Sequence, residues 1–236
     1  MKDRFKPTSC YGLIPFDKIQ FRDSDLFEME MWIYEMLTKI KLWYGTPKSG
    51  DNDLKNKIVL GIQCTYKNTL TGKITATEPH CGDLSKNDIE VKELELKEGD
   101  YFNKFYIDAD MAVYHVKLGT KNGESIEVGS ENEEYKKTVI LNLDKEPNMI
   151  QSFFGYYNIY GLRSLGCEYI SKKDFILISL MGIFRLRHLF RINEEQKNKW
   201  ENPEELKKLN EKMQAIARLC LLPDKTSFNV IQFYGI

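Results

Sequence analysis

Between residues 38 and 170 apolar side chains recur at every second position, and that period limits what the chain can fold into more than any other feature. Ile40, Leu42 and Tyr44 alternate with Lys39, Lys41 and Trp43. Ile58, Leu60, Ile62, Cys64 and Tyr66 alternate with Val59, Gly61, Gln63 and Thr65. Val113 and His115 oppose Ala112, Tyr114, Val116 and Leu118, and Val139, Leu141 and Leu143 make another run. Successive side chains of a strand point to opposite faces, so these runs predict half-buried β-strands. Turn chemistry falls between them, at residues 45–50, at Glu98-Gly99-Asp100 and at Lys121-Asn122-Gly123-Glu124. Asn-Gly suits the positive-φ positions of a tight hairpin. Many short strands without intervening helices predict an all-β core: a sandwich, a barrel or a prism.

The flanks break this period. Residues 1–37 read as an N-terminal extension, a Pro/Gly-containing lead followed by Ser24 to Leu37. Ser24 suits an N-cap before a short helix. Phe27, Met29, Met31 and Ile33 alternate and suit a strand equally well. Residues 171–236 read as a C-terminal helical extension with a terminal tail. Ser171 and Asp174 form a capping-box pattern that opens a helix running to about Arg191. Arg185, Arg187, His188 and Arg191 stand near its C-terminal end, where positive charge suits the helix dipole. Asn202-Pro203-Glu204-Glu205 starts a second helix that Pro223 ends. Phe228 to Tyr234 alternates weakly, as a strand or a docked tail would. The expected organisation is therefore an N-terminal extension at 1–37, a β domain at 38–170 and a helical extension at 171–236.

Composition removes several function classes. Apolar residues make up 42% and charged residues 29%, a globular balance. Acids and bases nearly cancel at a formal net charge of -1, and the sparse arginines leave few groups for bidentate phosphate or base reading, so no nucleic-acid partner is expected. Cys10, Cys64, Cys81, Cys167 and Cys220 are widely spaced and lack a C-x-x-C, so neither a disulfide framework nor a zinc site is expected. The opening residues hold no long apolar run, and the uncharged stretch Phe175–Phe184 is too short to cross a bilayer, so no transmembrane segment is expected. A reducing, intracellular and cytoplasmic setting follows as the expectation. The Lys-, Ile- and Asn-rich usage extends it towards a cytoskeletal or ciliary assembly.

Six segments of the central zone resemble, in order, those of the jacalin-related lectins. Leu37-Thr-Lys-Ile-Lys-Leu-Trp-Tyr-Gly45 is similar to the family's first core strand. Ile58-Val-Leu-Gly-Ile-Gln-Cys-Thr-Tyr66 is similar to its I-x-x-I-Q-x-x-Y strand, and Leu96-Lys-Glu-Gly-Asp-Tyr-Phe102 to L-x-x-G-E-Y-I. Val116 to Glu124, followed by Gly129, resembles L-x-F-x-T-N-x-G. Ile150-Gln-Ser-Phe-Phe-Gly155 resembles I-x-G-F-x-G, and Gly161-Leu-Arg-Ser-Leu-Gly166 resembles the closing L-D-x-I-G. The resemblance implies a jacalin-like β-prism, three antiparallel sheets around a shared apolar core.

It also implies a site. In sugar-binding members the Asp of the closing motif accepts hydrogen bonds from sugar hydroxyls, and a Gly-rich N-terminal segment completes the pocket wall. A carboxylate suits that task because it offers only acceptors. Here the matching residue is Arg163, which has no acceptor and would fill the pocket. The Gly-Gly segment is absent before Leu37. An altered, vestigial sugar-site loop is thus expected at Gly155, Tyr156, Tyr157, Asn158, Tyr160, Gly161, Leu162 and Arg163, where the tyrosines could stack on a sugar or on protein.

Other constellations carry less chemistry. His80-Cys81, near Glu78 and Asp83, lacks the ligand spacing of zinc sites and reads as a polar surface loop. His115 reads as a sheet-face residue, and Asp108 and Asp110 as solvated. Gly119, Gly123 and Gly129 read as hairpin glycines. No Ser-His-Asp or Cys-His arrangement emerges, so neither an enzyme, a cofactor nor a metal is expected. The segment Phe175–Phe190 is apolar nearly all round and must be covered, by its own domain or by a partner. Phe184, Arg185, Arg187, Phe190 and Arg191 are the candidate partner-binding residues, with a membrane-surface helix as a lesser version of that reading. The expected function is a non-catalytic jacalin-like module acting as a structural, protein-interaction subunit of a larger assembly. A carbohydrate-binding lectin of mannose or galactose type with an altered pocket is the alternative, and glycan its possible ligand.

Overall fold

The computed structural model describes residues 5–27, 32–47, 57–69, 71–85, 88–129, 137–142, 148–171 and 174–175. In chain order the strands are β1 (Phe5–Pro7), β2 (Tyr11–Gly12), β3 (Ile19–Arg22), β4 (Glu35–Gly45), β5 (Ile58–Asn68), β6 (Ile74–Ala76) and β7 (His80–Cys81). There follow β8 (Glu90–Glu95), β9 (Phe102–Ala109), β10 (Val113–Thr120), β11 (Ser125–Val128), β12 (Lys137–Asn142), β13 (Asn148–Asn158) and β14 (Gly161–Ser171). Short 3-10 turns occupy Asp23–Leu26 and Trp32–Tyr34.

These strands make three antiparallel sheets among the described residues. One runs β6-β5-β4-β8, with β7 also on β5. The second runs β11-β10-β9-β12. The third runs β1-β14-β13-β3, with β2 also on β14. The alternation read from the sequence explains the core. Ile40 and Leu42 of β4, Ile62 and Cys64 of β5, Phe105 and Ile107 of β9, Val116 and Leu118 of β10, and Phe153, Leu165 and Cys167 of the third sheet are fully buried in one cluster. Phe105 and Phe153 meet edge to face across two sheets, with centroids 5.7 Å apart, a geometry that adds to the area they bury. Three sheets sharing one apolar interior form a β-prism. The Asn122-Gly123 hairpin is where the sequence puts it, and Gly123 takes φ +92 in the turn joining β10 to β11.

The prism reaches further towards the N-terminus than 38. Residues expected as an extension at 1–37 contribute to it directly: β1 and β2 pair with one edge of β14, β3 pairs with the opposite edge of β13, and β4 begins at Glu35. Strands this short show no period of their own; the unpaired edges of the β13–β14 hairpin recruit them. Pro7 is tolerated because it lies in an edge strand. The Ser24 segment forms a single 3-10 turn, closed by a bond from the Phe27 N–H to the Ser24 carbonyl, not the start of a longer helix.

The helices expected over 171–191 and 202–223 lie outside the described residues except for one contact set. Asp174 donates its N–H to Ser171 Oγ at 3.1 Å, and the Ser171 hydroxyl donates to Asp174 Oδ2 at 2.6 Å. Asp174 and Phe175 are helical, and Phe175 is fully buried. Among the described residues no helix is long and apolar enough to cross a membrane.

Candidate functional site at the β13–β14 end of the prism

The residues singled out from the sequence fall on β13, its turn and β14, not on one loop. Gly155, Tyr156, Tyr157 and Asn158 end β13, Ile159 and Tyr160 make the turn, and Gly161, Leu162 and Arg163 start β14. Alternation then separates the tyrosines. Tyr157 packs inward near Phe21 and His80, at centroid distances of 6.2 and 6.0 Å. Tyr156 carries the Lys18 ammonium over its ring at 5.2 Å, and Tyr160 stacks under the Arg163 guanidinium at 5.6 Å. Leu162 is fully buried in the core. The tyrosines do not form one stacking platform.

Arg163 is 6% exposed, and its charge is spent inside the protein. Nε donates to Asn158 Oδ1 at 3.2 Å, and a terminal nitrogen donates to the Met111 carbonyl at 3.2 Å. Asn158 is itself buried: Oδ1 also accepts from the Tyr160 N–H at 3.1 Å, and Nδ2 donates to Asp17 at 3.2 Å. One polar chain thus runs from Asp17 through Asn158 and Arg163 to the β9–β10 turn. Topology explains Asp17. Because β2 lies beyond β14 and β3 beyond β13, residues 13–18 must cross the tip of the β13–β14 hairpin, and the Asp17–Asn158 bond pins the crossing. Gly12 makes the approach possible: it takes φ +115, and a Cβ there would stand 2.2 Å from the Arg163 carbonyl oxygen.

A second polar node was missed in the sequence. His80 and Cys81 are not a surface loop but β7, paired with Gly61 and Ile62 of β5. His80 Nε2 lies 2.9 Å from Oδ1 of the fully buried Asp23, and its ring stacks on Phe21 at 4.1 Å. Tyr66 donates to the other Asp23 oxygen at 2.6 Å. Burial pushes the Tyr66 phenol and the Cys64 thiol well above their ordinary values, and the Asp23 charge adds to both. Nothing local in the lead Phe21-Arg-Asp23 signals this, since its partners lie on β5 and β7.

Asp108 is likewise not solvated. It is 1% exposed, with Oδ2 3.2 Å from Nδ1 of the equally buried His115. The other imidazole nitrogen faces Glu127 at 3.0 Å, and Glu127 in turn binds Lys117 at 2.7 Å. The carboxylates flank the imidazole on opposite sides and therefore do not converge on a point. Among the described residues no group of three or more His, Cys, Asp or Glu is arranged to hold a metal ion. Asp110, by contrast, is exposed as expected. Phe184, Arg185, Arg187, Phe190 and Arg191 lie outside the described residues.

No protein-family model matches the chain, and no curated protein matches it. Its structural neighbours among solved proteins include jacalin-related lectins. A crystal structure of an artocarpin–mannotriose complex is 15% identical, with a TM-score of 0.49 over 70% of this chain and 97% of that one. A mannose-binding jacalin-related lectin from Ananas comosus is 13% identical, with a TM-score of 0.48 over 71% and 98%. Malaysian banana lectin is 13% identical, with a TM-score of 0.46 over 70% and 98%. The prism assignment stands on this chain's own sheets and core.

Proposed function

We propose that this protein is a non-catalytic binding module of jacalin-like form that works through protein contacts, as a structural subunit of a larger intracellular assembly. One observation carries the reading. The end of the prism where the family resemblance implies a sugar pocket is occupied by the protein's own Asp17–Asn158–Arg163–Met111 chain. A sugar would need a fixed carboxylate acceptor there and finds a buried guanidinium that offers no acceptor and already donates to Asn158 and Met111. Displacing it would leave Asn158 Oδ1 with only the Tyr160 N–H and would break the bond to the Met111 carbonyl, where a polar group left buried and unpaired costs about 1–3 kcal/mol. The remaining polar nodes, around Asp23 and His115, tie strands together. The helical extension after Ser171, with Phe184, Arg185, Arg187, Phe190 and Arg191, supplies the contact residues in this reading.

Titration calorimetry with mannose, galactose and their oligosaccharides tests it. No saturable heat is expected up to tens of millimolar sugar. Saturable binding that disappears on substitution of Tyr160 would establish the competing reading, a carbohydrate-binding lectin with an altered pocket.

A further inference from the structure

Exposed apolar side chains gather at the same end of the prism. Leu13, Ile14 and Phe16 project from the crossing loop, Ile19 follows it, Met111 caps the β9–β10 turn and Ile159 the β13–β14 turn. Phe16 is fully exposed, and the others are roughly half exposed. They belong together because their loops are bonded together: Asp17 to Asn158, Arg163 to Met111, and the Asp83 N–H to the Ile159 carbonyl at 2.8 Å. Apolar side chains held in water on a rigid frame mark an interaction surface. Carboxylates alternate with them: Asp17 follows Phe16, Asp110 precedes Met111, and Asp83 sits beside Ile159. The nearby Lys18 is turned onto Tyr156.

The complementary surface is an apolar segment interleaved with arginines, and this chain carries one, Phe184-Arg-Leu-Arg-His-Leu-Phe-Arg191. A helix over that segment would not reach its own rim. Phe175 follows the end of β14 remote from Gly161, and β14 spans roughly 33 Å. The helix expected from Asp174 to Arg191 covers only about 26 Å. We infer that residues 184–191 of one copy dock on the Leu13–Phe16–Ile159 rim of a second copy, giving head-to-tail self-association. Such a contact is heterologous, so it closes into a ring or continues as a chain. The inference rests on the protein-contact reading above and names the partner.

Sedimentation velocity of the full chain over a hundredfold concentration range tests it, together with a fluorescent peptide of residues 183–192. Phe16→Ser alters a side chain that touches nothing and leaves the fold intact; Phe190→Asp disables the docking segment. The wild type is expected to gain mass with concentration and both variants to remain monomeric. The peptide should bind the Phe190→Asp chain saturably and the Phe16→Ser chain at least tenfold more weakly. A monomeric wild type, peptide binding indifferent to Phe16, or a monomer whose rim is shielded by its own segment would each overturn the inference. So would Phe16-dependent flotation with phosphatidylcholine vesicles in the absence of peptide binding. Sugar binding with self-association intact would instead sink the functional reading alone.

Discussion

Arg163 and Asn158 face each other across the β13–β14 hairpin, with the guanidinium Nε donating to Asn158 Oδ1 at 3.2 Å. The pair is the centre of a hydrogen-bonded joint between the crossing loop, the hairpin and the β9–β10 turn.

Arg163→Ala should therefore act on stability. It removes the side-chain donor of the Met111 carbonyl, leaves Asn158 Oδ1 with only the Tyr160 N–H and opens a void beside Tyr160, at a cost of about 2–4 kcal/mol. Arg163→Lys should recover little, because one ammonium cannot reproduce the fork. Urea denaturation measures both. A loss below about 0.5 kcal/mol for the alanine variant would show that the joint is dispensable.

Tyr66→Phe tests the Asp23 node. The substitution removes a 2.6 Å bond to a fully buried carboxylate and changes nothing in shape. A cost of about 1–3 kcal/mol is expected, because Asp23 Oδ2 stays buried without its donor. Thermal unfolding followed by circular dichroism reads the change.

Glu35 and Glu127 should give opposite pH slopes. Burial raises the Glu35 carboxyl above its ordinary 4.5, against its bond from Asn68 and the charge of Lys73. Ionising it costs more in the folded state, so its contribution is present below pH 4.5 and lost as pH rises through the raised value. Lys117, helped by His115, lowers Glu127 below 4.5. Its contribution is present above that value and lost as pH falls. Denaturation midpoints from pH 3 to 7 check the signs. Relative to wild type, Glu35→Gln should gain as pH rises through this window, and Glu127→Gln should gain as pH falls.

Thiol labelling reports the same burial. Desolvation raises the Cys10 and Cys81 thiols, and Cys64 and Cys167 are fully buried and raised further. The thiolate is the reactive form. With iodoacetamide at pH 8, Cys10 and Cys81 should react more slowly than a free thiol, and Cys64 and Cys167 only in denaturant. Peptide mapping by mass spectrometry distinguishes them, and native labelling of Cys167 at its denatured rate would contradict the core placement.

The long strands β4, β5 and β10 were legible in the amino-acid sequence because runs of eight to eleven residues repeat the two-residue period often enough to stand out. The Asn122-Gly123 turn was legible because its chemistry is local. That Arg163 offers no acceptor was also legible, since the chemistry of a guanidinium needs no coordinates to interpret. Tertiary structure alone decided the rest. Strands as short as Tyr11–Gly12 and Ile19–Arg22 exist only because β14 and β13 offer them edges. His80 read as solvent-facing until the chain brings it Asp23 from another sheet, and Asp108 until the β9–β10 hairpin folds it against His115. Where the Arg163 charge goes was decided the same way: Asn158 is a hairpin neighbour, but Met111 comes from another sheet and Asp17 from a loop about 140 residues upstream. Sequence period reports which face of a strand is apolar; it carries no information on which other strands will meet that face, and burial and pairing of polar groups depend on that meeting.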